Sequence, residues 1–288
     1  MTATNGMIAG IYNGWIAFRD SNGYPIGTET APDDVSNGTT THAYRIKHPI
    51  SIGAPDITRE IATRKGGQAI RGQRQLGVGN IGPFEMVLDA FDEQFHAYVS
   101  ASAVDETTMT GWAITAPNTK KGVLPKFVLG MTVGFETEGG AAEYMNYIYS
   151  NVQIDPVIPG GSQDGGENPN PLTYQVTPDF SLRTGLGRLL SGMSLSVAED
   201  SDLMIAVRND KPITLTTYVD DNAAGTFTLG YRPTSDDETG AAENSITKNG
   251  TTTAVTSVAK TTGLVTQVAA GTAGDIWVVA YPTDYVAI

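Results

Sequence analysis

Residues 82–102, GPFEMVLDAFDEQFHAYVSAS, decide the fold class. In the first half Phe84, Met86 and Leu88 alternate with Glu85 and Val87, the period of two that marks a strand with one buried face. In the second half Phe91, Phe95, Tyr98 and Val99 fall at i, i+4, i+7 and i+8, one apolar stripe on a short helix. Either Asp89 or Asp92 could cap its first turn, since a carboxylate accepts from the N–H groups that a helix start leaves unpaired. His96, between Phe95 and Val99, is expected on the solvent side. No other stretch of the 288 residues carries so clear a helical period. The chain therefore reads as mainly β, with one short helix set among strands.

Upstream of this stretch, Met7–Arg19 reads as a strand anchored by Ile8, Ile11, Trp15, Ile16 and Phe18, closed by the turn Asp20-Ser21-Asn22-Gly23. Residues 29–41 are polar and read as a loop. Residues 43–52 resume an extended pattern through Tyr44, Ile46, Ile50 and Ile52. Residues 56–79 differ in kind. Arg59, Arg64, Lys65, Arg71 and Arg74 stand against Asp56 and Glu60, a local charge of +3 in a chain of net charge −13, with Gly66-Gly67 near the middle. This is a long cationic hairpin or extended loop, with an ordinary solvated surface loop as the alternative. A basic protrusion on an acidic molecule suits docking onto another copy.

Downstream, residues 112–116, 124–136 and 143–157 read as strands, the last aromatic through Tyr144, Tyr147 and Tyr149. Residues 160–171, GGSQDGGENPNP, form a low-complexity loop. Residues 172–182 are extended, and the Gly-rich stretch 184–192 holds a helical turn about 186–190. From about residue 195 the texture becomes short and regular: strands at 203–207, 213–219, 226–231, 254–258, 264–268 and 276–281. Turns such as Asp220-Asp221-Asn222 and Asn249-Gly250 separate them. The division is thus 1–195 and 196–288, the latter a small β-sandwich of about ninety residues, either a second domain or an elaboration of the first.

Composition narrows the function. With no cysteine, disulfides, thiolate nucleophiles and cysteine-based metal sites are excluded. No apolar run approaches the ~20 residues of a membrane helix, and residues 1–6 lack the basic and apolar regions of a signal peptide. The expectation is a protein made in a cytoplasm and soluble there. Acidic residues outnumber basic ones 19 to 13 before Ala198 and 12 to 5 after it. That is the reverse of a surface that grips phosphates.

The chemical motifs are weak. Gly77-Val78-Gly79-Asn80-Ile81-Gly82 fits GxGxxG but leads into a strand, whereas a dinucleotide site needs those glycines to open a helix. His42, His48 and His96 have no metal-ligand spacing. The acidic pairs Asp33-Asp34, Asp200/Asp202, Asp220-Asp221 and Asp236-Asp237-Glu238 lie among turn residues and read as solvated turns, with adventitious Ca²⁺ the alternative. Asn37-Gly38-Thr39 and Asn249-Gly250-Thr251 read as turns. The expectation is a non-enzymatic protein with no catalytic residues, no metal and no cofactor.

The order of elements carries a resemblance. A strand, a second strand ending near residues 49–55 and a long Gly/Arg-containing loop lead into the strand-to-helix unit of residues 82–102. Paired strands follow in VLPKFVLGMTVGF (123–135), EYMNYIYSNVQIDPVIP (143–159) and PLTYQVTPDFSLRTG (171–185). This resembles the tail-tube family of long-tailed bacteriophages, whose relatives include type VI secretion tube proteins, over about two-thirds of the chain. The resemblance implies a tail-tube-type β-sandwich or barrel with one helix and a long extended loop, plus a small Ig-like β-sandwich at the C-terminal end. It implies hexameric rings with sheets joined into one barrel, stacked into a virion tail tube through which DNA passes without specific binding. Arg59, Arg64, Lys65, Arg71 and Arg74 would then be the inter-ring contact loop, and tape-measure and terminator proteins further partners. The rival readings are another virion surface or decoration protein, a carbohydrate-binding module, for which Trp15, Trp112 and Trp277 are widely scattered, and an acidic β-sandwich hydrolase with a dispersed site.

Overall fold

The computed structural model describes residues 7–19, 24–27, 36–47, 49–53, 57–66, 69–100, 125–137, 141–157, 171–178, 204–222, 225–234, 244–268 and 271–288, with the backbone alone for 7–12, 57–66 and 69–81. The fold is mainly β and its strand pairs are antiparallel. The largest sheet has nine strands: β1 (Met7–Arg19), β2 (Pro25–Ile26), β4 (Tyr44–Ile46), β5 (Pro49–Ile52), β8 (Phe84–Leu88), β9 (Lys126–Glu136), β10 (Ala142–Ile154), β11 (Leu172–Pro178) and β12 (Met204–Asn209). Its order is β2-β1-β9-β10-β11-β8-β5, with β4 also on β1 and β12 also on β10. A second sheet holds β3 (Thr40–His42), β13 (Ile213–Val219), β15 (Tyr231–Pro233), β16 (Ser245–Lys248), β17 (Thr251–Thr252) and β20 (Ile276–Ala287). A third holds β14 (Thr226–Thr228), β18 (Val255–Val258) and β19 (Leu264–Gln267), and the pair β6 (Ile57–Gly66) and β7 (Ala69–Ile81) stands as a two-stranded sheet.

Three apolar cores alternate with these sheets. The first lies on one face of the nine-stranded sheet, with Ile16, Leu88, Leu129 and Tyr149 around Phe95 and Val99 of helix α1 (Glu93–Ser100). The second joins the large sheet to the six-stranded one: Trp15, Val128 and Ile148 meet Ile213, Leu215 and Val278. The third lies between the six- and three-stranded sheets, where Tyr218, Trp277 and Tyr281 meet Phe227 and Val265. Sequence neighbours therefore enter different cores, as with Trp15 and Ile16, Val128 and Leu129, and Val278 and Val279. Strands buried on both faces need apolar residues at successive positions, and so these segments read as apolar runs rather than as alternations.

The strand-to-helix unit at 82–102 forms as its pattern predicts through residue 100. Phe84, Met86 and Leu88 are buried with Glu85 exposed, and Asp92 is the cap: its Oδ1 accepts from Phe95 N at 3.2 Å. His96 is a correction, since it is buried rather than solvent-facing. Five of the helix's eight residues are buried, so the helix is covered well beyond its apolar stripe. The loop expected over 29–41 ends early, because Thr40 and Thr41 belong to β3, which pairs with β13. Asn249 (φ 49°) and Gly250 (φ 73°) make a two-residue turn closed by Lys248 opposite Thr251. Positive φ at both central residues is the hairpin geometry that Asn-Gly favours. The strands it joins, β16 and β17, are too short and polar to stand out in the sequence.

A division at 195/196 does not separate the pairing. β3 from the first segment is an edge strand of the six-stranded sheet, and β12 from the second pairs with β10 in the large one. Among the described residues no helix is long and apolar enough to cross a membrane.

Candidate assembly surfaces

The basic segment forms the hairpin β6–β7, whose two strands pair only with each other among the described residues. It prolongs the β5–β8 pair. Ile52 faces Met86 and Ile57 faces Ile81, five residues on along each arm, and Gly53 N donates to Glu85 O at 2.6 Å between them. One long hairpin thus runs from Pro49 to Leu88, its inner part within the nine-stranded sheet and its outer part a separate two-stranded ribbon. At ~3.3 Å per residue the arms of the ribbon extend roughly 30–40 Å. A lone ribbon of this kind is marginal in water, and packing against another surface stabilises it.

The register explains the glycines of the GxGxxG match. Thr58 faces Asn80, but Glu60 faces Leu76, so Gly77-Val78-Gly79 of β7 spans a shift opposite Arg59. These glycines lie inside a strand, at a bulge, where a missing side chain eases the distortion. Arg64 faces Gly72, Lys65 faces Ile70, and Arg74 faces Ala62, while Arg59 and Arg71 fall at the two register shifts. No two cations are directly opposite, which avoids like-charge repulsion across the ladder.

A second feature is a polar row across the large sheet. Asn13, Thr132, Asn146 and Val207 are consecutive register partners on β1, β9, β10 and β12. Asn146 Oδ1 accepts from Thr132 Oγ1 at 2.7 Å and from Ile213 N at 3.0 Å, and its Nδ2 donates to Lys211 O at 3.2 Å. Asn13 Oδ1 accepts from Arg45 Nε at 2.9 Å. Just below the row, Trp15 Nε1 donates to Ile213 O at 2.7 Å. Gly130 leaves room for this indole, since a Cβ there would come within 2.0 Å of Trp15 Cε2. Below the row both faces of β1 and β9 are buried. Above it Val133, Phe135, Tyr144 and Met145 are only half-buried, and the four strands form a blade. Among the described residues the outer edge of β1 from Met7 to Asn13 has no strand partner, and neither does the outer edge of β12. At the rim Arg208 pairs with Glu143, holding that carboxyl below its usual range, and lies 5.5 Å from the Phe135 ring.

The remaining sequence candidates are dispersed. His42 is half-buried and bonds Thr216 Oγ1 through Nδ1 at 3.1 Å; burial lowers its pKa. His96 has neither ring nitrogen hydrogen-bonded, lies tilted against the Phe91 ring at 5.3 Å, and its pKa is likewise lowered by burial. Asp220 is a second correction. It is fully buried rather than a solvated turn, accepting from Gln267 Nε2 at 3.0 Å, Trp277 Nε1 at 3.1 Å and Asn222 N at 2.8 Å. Trp15 and Trp277 are both buried. His48, Trp112, Asp33-Asp34, Asp200/Asp202, Asp236-Asp237-Glu238, the strand expected at 112–116, the loop at 160–171 up to its last residue and the turn at 186–190 lie outside the described residues. The sequence reading passed over the polar row, although Asn and Thr in the middle of three apolar strands were its signal. No protein-family model matches the chain, and no curated protein matches it.

Proposed function

We propose that this chain is a structural subunit of a hollow tube, of the kind built by the tail-tube proteins of long-tailed bacteriophages. Copies join edge to edge into hexameric rings, and rings stack through the β6–β7 hairpin. The observation that carries the reading is that hairpin, a long basic ribbon that no other strand among the described residues pairs with. An acidic molecule of net charge −13 offers it a complementary surface on the next copy, and contact there desolvates the ribbon's backbone edges and orders them.

The blade supports ring closure. Its four strands alternate in direction, so an unpaired β1 edge can take the β12 edge of a neighbour and continue the antiparallel pattern. An even strand number per subunit keeps that alternation around a closed ring, and closure removes the exposed edges. The acidic excess keeps DNA from adhering to the lumen it passes through. Tape-measure and terminator proteins would be the other partners, and the virion the site of action. A sugar-binding module would instead display aromatic platforms, and two of the three tryptophans are buried.

Negative-stain microscopy of the purified protein tests the reading, with rings or tubes around a central hole expected. A dispersed monomer at high concentration refutes it. Replacing Arg59, Arg64 and Arg71 together by Gln should shorten tubes and lower their yield while leaving the monomer folded. Unchanged length and yield would remove the hairpin's assigned role.

A further inference from the structure

The six-stranded sheet reaches back to the blade at one point. β20 pairs with β15 through Pro233 opposite Thr283 and Tyr231 opposite Ala287, so Asp284, Tyr285 and Val286 form a bulge opposite the single residue Arg232. Bulges of this kind re-aim a side chain. Tyr285 has φ 58°, a left-handed conformation that is strained for an aromatic residue. Thr283 fixes it: the buried Oγ1 accepts from Tyr285 N at 3.0 Å and donates to Arg232 O at 2.8 Å. The strain aims the Tyr285 ring at β4, where the Arg45 guanidinium lies 4.5 Å from the ring centroid, with Tyr231 packed edge-on at 5.0 Å.

Two arms of contacts lead from the bulge to the polar row. Arg45 donates to Asn13, the β1 end of the polar row. At the other end of the row Asn146, which accepts from Thr132, donates to Lys211 O. Lys211 Nζ then bonds Asp284 Oδ1 at 2.7 Å, next to Tyr285. The Lys211–Asp284 pair is solvent-exposed enough to contribute little. The Tyr285–Arg45–Asn13 arm therefore carries the link, and it ends at the register shift between Ile11 and Asn13, where β1 leaves the core for the blade.

We infer that the strained Tyr285 bulge is a latch through which the six-stranded sheet sets the pose of the blade's β1 edge, the edge assigned above to subunit joining. On this view the C-terminal part of the chain does more than decorate the assembly: it holds the joining edge in an assembly-competent geometry. The role in assembly rests on the tube reading, while the latch itself does not.

Amide hydrogen exchange on the purified full chain tests the latch directly. Tyr285→Ala should speed exchange of the β1 amides 7–13 by about five- to tenfold, the weight of one cation–π contact and its hydrogen-bonded arm. Amides of β14, β18 and β19 should be unchanged. Should Tyr285→Ala unfold, Arg45→Gln gives the same readout from an exposed side chain, and Tyr285→Phe, which keeps the ring, should behave as wild type. The effects of Tyr285→Ala and Asn13→Ala should be less than additive. Unchanged β1 exchange in both Tyr285→Ala and Arg45→Gln overturns the latch. If wild type makes tubes, Tyr285→Ala should make fewer. If wild type makes none while β1 exchange still responds, the tube reading falls and the latch stands.

Discussion

Trp15→Phe tests whether the two large sheets form one cooperative unit. Trp15 is 1 % exposed, lies in the core between the sheets, and its Nε1–H is the donor to Ile213 O at 2.7 Å. Phenylalanine keeps most of the ring but removes that donor, leaving a buried carbonyl unsatisfied at a cost of about 1–3 kcal/mol. It also removes part of the indole and leaves a void of roughly 30–40 Å³. At ~24 cal/mol per Å³ this adds about 1 kcal/mol. The total, about 2–4 kcal/mol, corresponds to a melting temperature lower by roughly 5–10 °C for a chain of this size. Calorimetry gives both tests at once. Because the core is shared and β3 and β12 cross between the halves, wild type and variant should each unfold in a single transition. A shift below about 1 °C would show that the bond contributes nothing, and two separated transitions would refute the coupling of the sheets.

Two further outcomes follow from buried polar groups. Burial holds His96 below its ordinary value of 6.5, so the unfolded chain takes up the proton first as pH falls. Stability from this group is intact above about pH 6.5 and is lost below it, by up to about 1.4 kcal/mol per pH unit. His96→Leu should therefore lose less stability than wild type between pH 7 and 5 in urea titrations, and parallel pH slopes would contradict this. Asp220→Asn leaves one acceptor oxygen where the carboxylate has two, so its NH2 must face either the Asn222 N–H or the Trp277 and Gln267 donors. It should cost about 2–3 kcal/mol in denaturant unfolding followed by tryptophan emission, and a loss under 0.5 kcal/mol would mean that the second acceptor oxygen is dispensable.

Much of the fold was legible in the residues. The alternation at Phe84, Met86 and Leu88 and the stripe from Phe91 to Val99 placed a strand and then a helix. β1 and β13 formed over the expected residues, because runs rich in β-branched and aromatic side chains suit a pleated, packed surface. The candidate surfaces were legible in part. The basic composition of residues 56–79 marked a distinct element, but its identity as the outer half of one hairpin beginning at Pro49 depends on pairing with residues some thirty positions away. His96 and Asp220 were misread because burial is set by what lies over a residue. A local period reports only one face, and a turn motif reports none.

The sequence alone determined that this is a cysteine-free, acidic, mainly β chain with a single clear helix and one basic excursion, since those properties are sums over residues or patterns a few residues long. Only the tertiary structure decided that three cores alternate with the sheets, that strands cross the 195/196 divide, that Asn13, Thr132 and Asn146 line up as one polar row, and that Tyr285 reaches Arg45. Each of these depends on register between distant strands, and a shift of one residue would turn every side chain to the opposite face.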